Sequence, residues 1–142
     1  MKINNNFLLT AITIAALCVS SCKKDEGALP NIAFKKDLGY AYLSDTVHLG
    51  DTLMVGINAS KAEDKDVLKS FEATQINYDS MGAKQPTMSL YSESLTGSNE
   101  DQYSKDFMII PNYVNGKERH IFSVVNRDGL KNSIYIELTV LP

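Results

Sequence analysis

The sequence is poor in the residue types that build metal and nucleophile sites. It has no tryptophan, two cysteines and two histidines among 142 residues. His48 and His120 lie far apart without a second histidine or cysteine at ligand spacing, so the sequence predicts no zinc site. It also contains no Gly-x-Ser-x-Gly elbow and no glycine-rich phosphate loop. We therefore expect no catalytic residues, no metal and no cofactor.

The charge balance excludes one class of partner. The chain has 14 basic and 17 acidic residues, and its net charge is -3. A nucleic-acid surface requires clustered Lys and Arg. We therefore expect no nucleic-acid partner.

The first residues have the composition of an export signal. Lys2 is the one cation before an apolar run over residues 7–17, and this run is shorter than the roughly 20 residues that a membrane-spanning helix needs. Small residues, Ser20 and Ser21, precede Cys22. This order predicts a signal peptide over residues 1–21 with cleavage between Ser21 and Cys22.

The cleavage region also resembles a known family. Val19-Ser20-Ser21-Cys22 is similar to the lipobox of bacterial lipoproteins. The resemblance implies that Cys22 becomes the first mature residue and carries a diacylglycerol with acyl chains such as palmitate. Because Cys18 lies in the leader, lipidation of Cys22 leaves no free thiol. The alternative is an ordinary signal peptide with cysteines nearby.

Residues 22–30 are predicted to form a lipidated cysteine and flexible tether. They are charged and end in glycine and proline, a composition that cannot bury a core. The stretch Ser21-Cys22-Lys23-Lys24-Asp25-Glu26 resembles lipoproteins of Bacteroidota-type bacteria, in which acidic residues behind the cysteine accompany export to the cell surface. The resemblance implies an outer-membrane protein anchored by lipid and exposed at the surface. The alternative is a linker facing the periplasm.

Residues 31–142 are long enough for one domain, and their pattern is all-β. The clearest strand covers residues 133–140, in which Ile134, Ile136, Leu138 and Val140 alternate with polar residues or tyrosine. This period of two predicts that these four side chains face the core. A partner strand over residues 121–126, with Phe122 and Val124 inward, follows from the turn signal Asp128-Gly129.

Further strands are predicted over residues 46–49, 52–59, 87–91 and 106–110. Asn115-Gly116 allows either a two-residue hairpin or a corner between two sheets. Residues 61–73 are rich in helix formers, and Ser60 and Glu63 have the spacing of a capping box. A helical turn near residues 61–66 leading into a strand over about residues 68–77 fits both signals, and a full helix would make the fold α+β.

The C-terminal pattern resembles a second family. Residues 122–129 and 136–140 are similar to the last two strands of bacterial immunoglobulin-like modules. With the leader, they resemble small Bacteroidota-type surface lipoproteins with an immunoglobulin-like domain, most of which have no assigned activity. The resemblance implies an immunoglobulin-like β-sandwich, for which about seven short strands are required.

Acidic residues and tyrosines give weaker signals. The pairs in residues 63–66 and 101–106 are candidates for solvated charge or a loose calcium site. The tyrosines are scattered, and no aromatic platform for sugar binding is recognisable. Three Asp-Ser/Thr-apolar motifs are similar to O-glycosylation sites of exported proteins in the same bacterial group, and their acceptors are Thr46, Thr52 and Ser80. Asp-Thr and Asp-Ser are also ordinary turn residues.

Two classes of function follow. The first is a non-catalytic binding or assembly module, held at the membrane by Cys22, that presents its loops to a protein or glycan. The second is an enzyme or accessory subunit of a glycan-processing or glycan-import system. A pocket with converging carboxylates favours the second class, and the missing catalytic motifs favour the first.

Overall fold

The computed structural model of the protein describes residues 27–142, so the predicted cleavage at Ser21 and lipidation at Cys22 lie outside the described residues. Eight strands account for most of this part of the chain, with one short 3₁₀ helix over Gly97–Glu100. The strands are β1 (Asn31–Phe34), β2 (Asp45–His48), β3 (Leu53–Ser60), β4 (Leu68–Tyr78), β5 (Met88–Ser94), β6 (Gln102–Ile109), β7 (Gly116–Asn126) and β8 (Lys131–Leu141).

The strands form two sheets, as predicted for an all-β sandwich. One sheet has the order β1-β3-β6 and the other β2-β8-β7-β4-β5. All pairings are antiparallel except β2 with β8. Residues 27–142 contain eight strands and not about seven, because the segments on either side of residues 35–44 pair with different sheets. β1 lies against β3, whereas β2 lies against β8.

The core lies between the sheets and follows the predicted alternation. Ile136, Leu138 and Val140 are fully buried on β8, and Ile134 is partly buried beside them. Phe122 and Val124 are buried on β7, which confirms their inward orientation. The turn at Asp128-Gly129 is also confirmed, since Gly129 has φ 82 and donates its N–H to the Asn126 carbonyl at 3.1 Å.

The full-helix alternative for residues 61–73 is wrong, and so is the helical turn expected near residues 61–66. Residues 62–65 form bends and a turn, and β4 begins at Leu68, which confirms the strand expected over about residues 68–77. Strand pairing overrides helix propensity here because Phe71 and Ala73 are fully buried opposite Val124 and Phe122 of β7.

Residues 110–115 form a corner between the sheets and not a hairpin. β6 belongs to the three-stranded sheet and β7 to the five-stranded sheet. Asn115 adopts a left-handed conformation with φ 59. A Cβ atom at Gly116 would lie 2.5 Å from the Tyr78 carbonyl oxygen and 2.6 Å from the Tyr113 ring. The chain can therefore pass this point only with glycine in its present geometry.

The end of the predicted tether lies against the domain. The Asn126 side-chain amide donates to the Ala28 carbonyl at 3.1 Å, and that of Asn132 donates to the Pro30 carbonyl at 2.8 Å. Asn126 also donates to the buried Asp66 carboxylate at 2.6 Å. Residues 28–30 are thus held at the end of the sandwich where β7 turns into β8.

Between residues 27 and 142, no helix is long and apolar enough to cross a membrane.

Candidate functional site

A groove on the outer face of the five-stranded sheet combines aromatic, cationic and anionic side chains. Its volume is about 700 Å³. We call it the Arg119 groove and define it by the lining residues Tyr78, Met81, Lys117, Arg119, Glu137 and Thr139.

The strand register places the polar side chains of the groove together. Arg119 on β7 lies directly opposite Glu137 on β8, and Lys117 lies opposite Thr139. Side chains alternate between the faces of a sheet, so these four share the outer face while their buried neighbours Glu118, Leu138 and Val140 point inward. The pairing of β7 with β4 on one side and with β8 on the other therefore fixes the distances between the side chains that line the groove.

The Arg119 guanidinium lies over two tyrosine rings. Its central carbon is 5.2 Å from the ring centroid of Tyr78 and 4.8 Å from that of Tyr135. Both distances are within the range of a cation–π contact. Tyr135 is outside the lining but contacts Arg119 at the edge of the groove, and it is 56% exposed, so much of its side chain remains open to a ligand.

Glu137 joins the two cations of the groove. Its carboxylate accepts from Arg119 Nη2 at 2.8 Å and Nε at 3.2 Å, and from Lys117 Nζ at 3.0 Å. Hydrogen bonds from these two side chains hold the pKa of the Glu137 carboxyl below its ordinary value, and bonding from Arg119 has a larger effect than bonding from Lys117. Bonding to Glu137 also raises the pKa of Arg119. Glu137 and Arg119 are therefore charged at neutral pH.

The loop after β4 forms one rim of the groove. The Asp79 carboxylate accepts the backbone N–H of Met81 at 2.9 Å and that of Ala83 at 2.8 Å. Gly82 has φ 83, and its N–H donates to the Asp79 carbonyl at 2.9 Å. Met81 is consequently held at the tip of a hydrogen-bonded turn, and 89% of the Met81 surface is exposed.

A second groove lies on the outer face of the three-stranded sheet. Its volume is about 880 Å³, and its lining includes the uncharged side chains of Asn31, Asn58, Ser60, Gln102 and Ser104. The one tyrosine in its lining, Tyr103, is 4% exposed and directs its hydroxyl to Glu93 at 2.8 Å. Because it offers neither an open ring nor a charged group, the second groove has fewer means of selecting a ligand than the Arg119 groove.

The inner face contains a buried carboxylate–imidazole pair. Glu118 is 1% exposed and His120 is 2% exposed, with Oε2 and Nε2 3.1 Å apart. Glu118 Oε1 also accepts the N–H groups of Asn112 and Tyr113, each at 2.7 Å. Burial raises the pKa of the Glu118 carboxyl, but the hydrogen bonds from His120 and from the two N–H groups outweigh burial, and the net pKa is lowered. This pair holds the corner in place and is shielded from substrate.

The candidate calcium carboxylates do not converge. Asp66 is buried against Asn126, while Asp101 and Asp106 pair with Lys61 at 2.7 Å and Lys35 at 2.6 Å. In the part of the chain that the structure describes, no group of three or more His, Cys, Asp or Glu could hold a metal ion.

Thr46, Thr52 and Ser80 are all exposed. The aspartate before each of them accepts a backbone N–H, which is the role of an ordinary turn residue: Asp45 binds Thr46 at 2.7 Å, Asp51 binds His48 at 2.8 Å, and Asp79 holds the rim loop. Thr46 pairs in register with Thr139, and Ser80 lies in the rim loop. O-glycosylation of these three residues stays a prediction.

The aromatic contribution to the Arg119 groove is a feature that the sequence patterns missed. The turn at Asp128-Gly129 fixes the β7–β8 register, so the opposition of Arg119 and Glu137 could have been found from that hairpin. Tyr78 could not, because β4 precedes β7 by a long stretch of chain and its pairing with β7 is not encoded by a local turn.

No protein-family model matches the sequence, and no curated protein matches it at a significant level. Among solved structures, the chain is similar to a family 123 glycoside hydrolase from Clostridium perfringens, with a TM-score of 0.54 and 11% identity over 80% of this chain and 27% of the hydrolase chain. It is also similar to a superoxide reductase (neelaredoxin) from Ignicoccus hospitalis, with a TM-score of 0.46 and 13% identity over 80% of each chain. At these identities the similarity concerns the fold alone.

Proposed function

We propose that this protein is a membrane-anchored, non-catalytic binding module of the cell envelope, with the Arg119 groove as its binding surface. The observation that carries the proposal is the arrangement of Arg119 between Tyr78 and Tyr135 with Glu137 opposite it. These side chains stand on paired strands, so little conformational entropy is lost when a ligand binds.

The state of the carboxylates supports a binding role over a catalytic one. A glycosidase needs a general acid with a raised pKa and a second carboxylate across the scissile bond. At the groove, the pKa of Glu137 is lowered by Arg119 and Lys117, and Asp79 is engaged by backbone N–H groups. The alternative role in a glycan-processing or glycan-import system is then that of an accessory subunit that binds and does not cleave.

The position of the tether supports presentation of the groove away from the membrane. Residues 28–30 are held beside Asn126 and Asn132, where β8 begins. Thr139 lies near the other end of β8, roughly 23 Å away at the usual rise of a strand. With Cys22 as the lipid anchor in the outer membrane, the 79–83 rim loop points toward the outside of the cell. A tethered module also gains local concentration, which makes a modest affinity useful.

The strand order supports an immunoglobulin-like variant of the sandwich. Such domains consist of two antiparallel sheets that pack over a common core, and the order of the strands in each sheet is fixed. Here the first part of the domain is divided between both sheets, as β1 and β2, and the last two strands are neighbours in the larger sheet. This class leaves the two outer faces free for recognition.

Photo-crosslinking in cells tests the proposed surface. A photoreactive amino acid is placed at Met81 on the groove rim or, as the matched control, at Ser104 on the opposite outer face; both positions are exposed. We expect covalent adducts from position 81 and none from position 104, and their loss when Tyr135→Ala is added. Equal labelling at both positions, or adducts that persist in the Tyr135→Ala protein, would contradict the assignment.

A further inference from the structure

We infer that the Arg119 groove binds an uncharged saccharide chain. This inference rests on the proposed function, because it assigns a ligand class to the same groove. The charges of the groove, its open hydrogen-bonding groups and its exposed rings all favour this ligand class.

The charges of the groove compensate one another. Lys117 and Arg119 supply two cations, and Glu137 and Asp79 supply two anions. An anionic ligand that approaches the two cations meets the Glu137 carboxylate, which already lies 3.0 Å from Lys117 Nζ and 2.8 Å from Arg119 Nη2. A cationic ligand meets Lys117 and Arg119 in turn. The electrostatics therefore favour a ligand without net charge.

Hydrogen-bonding capacity is left over after these pairings. Within residues 27–142, Arg119 uses Nε and Nη2 for Glu137, and Nη1 has no partner. Among the described residues Lys117 donates only to Glu137, so its ammonium has further donors available. The Thr139 hydroxyl makes no side-chain hydrogen bond with the described residues and can both donate and accept. A polyhydroxylated ligand matches this mixture because each sugar hydroxyl also does both.

Exposed aromatic and apolar surface accompanies these donors. Tyr135 is 56% exposed, Met81 is 89% exposed and Leu141 is 40% exposed. The C–H face of a pyranose ring stacks on such surfaces, while its hydroxyl edge reaches polar groups in the same plane. Because Lys117 and Met81 are largely exposed, the groove is open at its rim and fits the side of a saccharide chain better than a small enclosed molecule.

Affinity electrophoresis of the mature, lipidated protein in non-ionic detergent tests the ligand class. Native gels contain one neutral polysaccharide (starch, laminarin, galactomannan or dextran) or one acidic polysaccharide (polygalacturonate or alginate). The proteins are the wild type, Tyr135→Ala, Arg119→Ala and, as the matched control on the other outer face, Ser104→Ala. Circular dichroism verifies that each variant is folded, and Tyr135→Ala is the variant least expected to disturb folding because Tyr135 is exposed.

We expect retardation by at least one neutral polysaccharide, with apparent affinity reduced roughly tenfold in Tyr135→Ala and Arg119→Ala and unchanged in Ser104→Ala. Retardation by acidic polysaccharides alone, by none of the six, or equally in all variants would overturn the inference. If position 81 of the wild type forms crosslinks in cells while no neutral polysaccharide retards the protein, the ligand class is wrong and the proposed binding surface is retained. If the wild type shows neither crosslinks from position 81 nor retardation by a neutral polysaccharide, the proposed function itself is wrong.

Discussion

At position 136 the side chain lies in the middle of the core, whereas at position 139 on the same strand it faces outward. Ile136 is fully buried, and Thr139 is only partly covered. We predict that Ile136→Ala lowers the free energy of unfolding by about 2–5 kcal/mol, the usual cost of a large-to-small core substitution. Thr139→Ala should cost much less. Urea unfolding followed by far-UV circular dichroism measures both, and equal losses would contradict the assignment of the two faces.

Glu118 links stability to pH. Its pKa is lowered in the folded protein, because the hydrogen bonds from His120 and from two backbone N–H groups outweigh the effect of burial. A lowered carboxyl pKa contributes stability that is present above the ordinary value of about 4.3 and is lost as the pH falls through the folded value. We predict that Glu118→Gln destabilises the protein at pH 7 by about 3 kcal/mol, since a neutral amide replaces the buried, charged acceptor of three hydrogen bonds.

The acid sensitivity of the same variant provides the check. Between pH 6 and pH 3 the wild type should lose stability more steeply than Glu118→Gln, since the variant has no carboxyl to protonate at this position. Urea midpoints at several pH values measure the slope. Asp101→Asn is the control, because Asp101 forms an exposed ion pair with Lys61 and is not buried. A slope unaffected by Glu118→Gln would contradict this account.

Residue-level burial was the most predictable property of the chain. The alternation of Ile134, Ile136, Leu138 and Val140 specifies one inward face, because a slip of one residue would expose all four. The structure confirms this face. Glu118 and His120 could not be placed by pattern. Glu118 is buried at an inward position because the corner supplies hydrogen bonds from Asn112 and Tyr113, and His120 is hydrogen-bonded in turn to Glu118.

Among the elements, the corner at residues 110–115 determines how β6 of one sheet continues into β7 of the other. Gly116 permits it, since a Cβ atom there would lie 2.5 Å from the backbone oxygen of Tyr78. We predict that Gly116→Ala lowers the free energy of unfolding by about 1–3 kcal/mol through overpacking. Lys117→Ala, at an exposed neighbouring position, is the control. Chemical unfolding of both variants measures the difference. An unchanged free energy of unfolding in Gly116→Ala would contradict the prediction and show that the corner can relax.

Elements with local signals were predicted well, among them the strand over about residues 68–77 that forms β4, whereas β1, which depends on distant pairing alone, was not. The β7–β8 hairpin follows from Asp128-Gly129 and two alternating strands. Residues 61–73 have helix propensity, yet β4 forms because Phe71 and Ala73 are buried against β7, more than forty residues further along the chain. β1 was not predicted at all, since its four residues become a strand only by pairing with β3.

On the scale of the whole molecule, the proposal requires that the domain be attached to a membrane. We predict that Cys22→Ser abolishes lipidation and releases the protein from the membrane fraction. A single acyl chain anchors only marginally, so the diacylglycerol with an added N-acyl chain is needed for stable attachment. Intact-mass analysis of the wild type and fractionation of both proteins measure this. An unmodified Cys22, or a mature terminus elsewhere, would contradict the lipoprotein assignment.

The Arg119 groove could be predicted from the sequence only in part. The opposition of Arg119 and Glu137 is contained in one hairpin, but the contact between Arg119 and Tyr78 requires the β4–β7 pairing. Scattered tyrosines therefore gave no recognisable platform. Two of them meet at one guanidinium only after the five-stranded sheet has formed.

We propose that this protein binds an envelope partner through the Arg119 groove. The most direct measurement is an NMR titration of the isotope-labelled mature chain carrying Cys22→Ser, with an extract of envelope glycans and proteins from the producing cells. The account predicts chemical-shift changes confined to the outward positions of β4, β7 and β8 and to residues 79–83, and their loss in Tyr135→Ala. Changes centred on Asn58 and Ser104, or changes that survive in Tyr135→Ala, would contradict it.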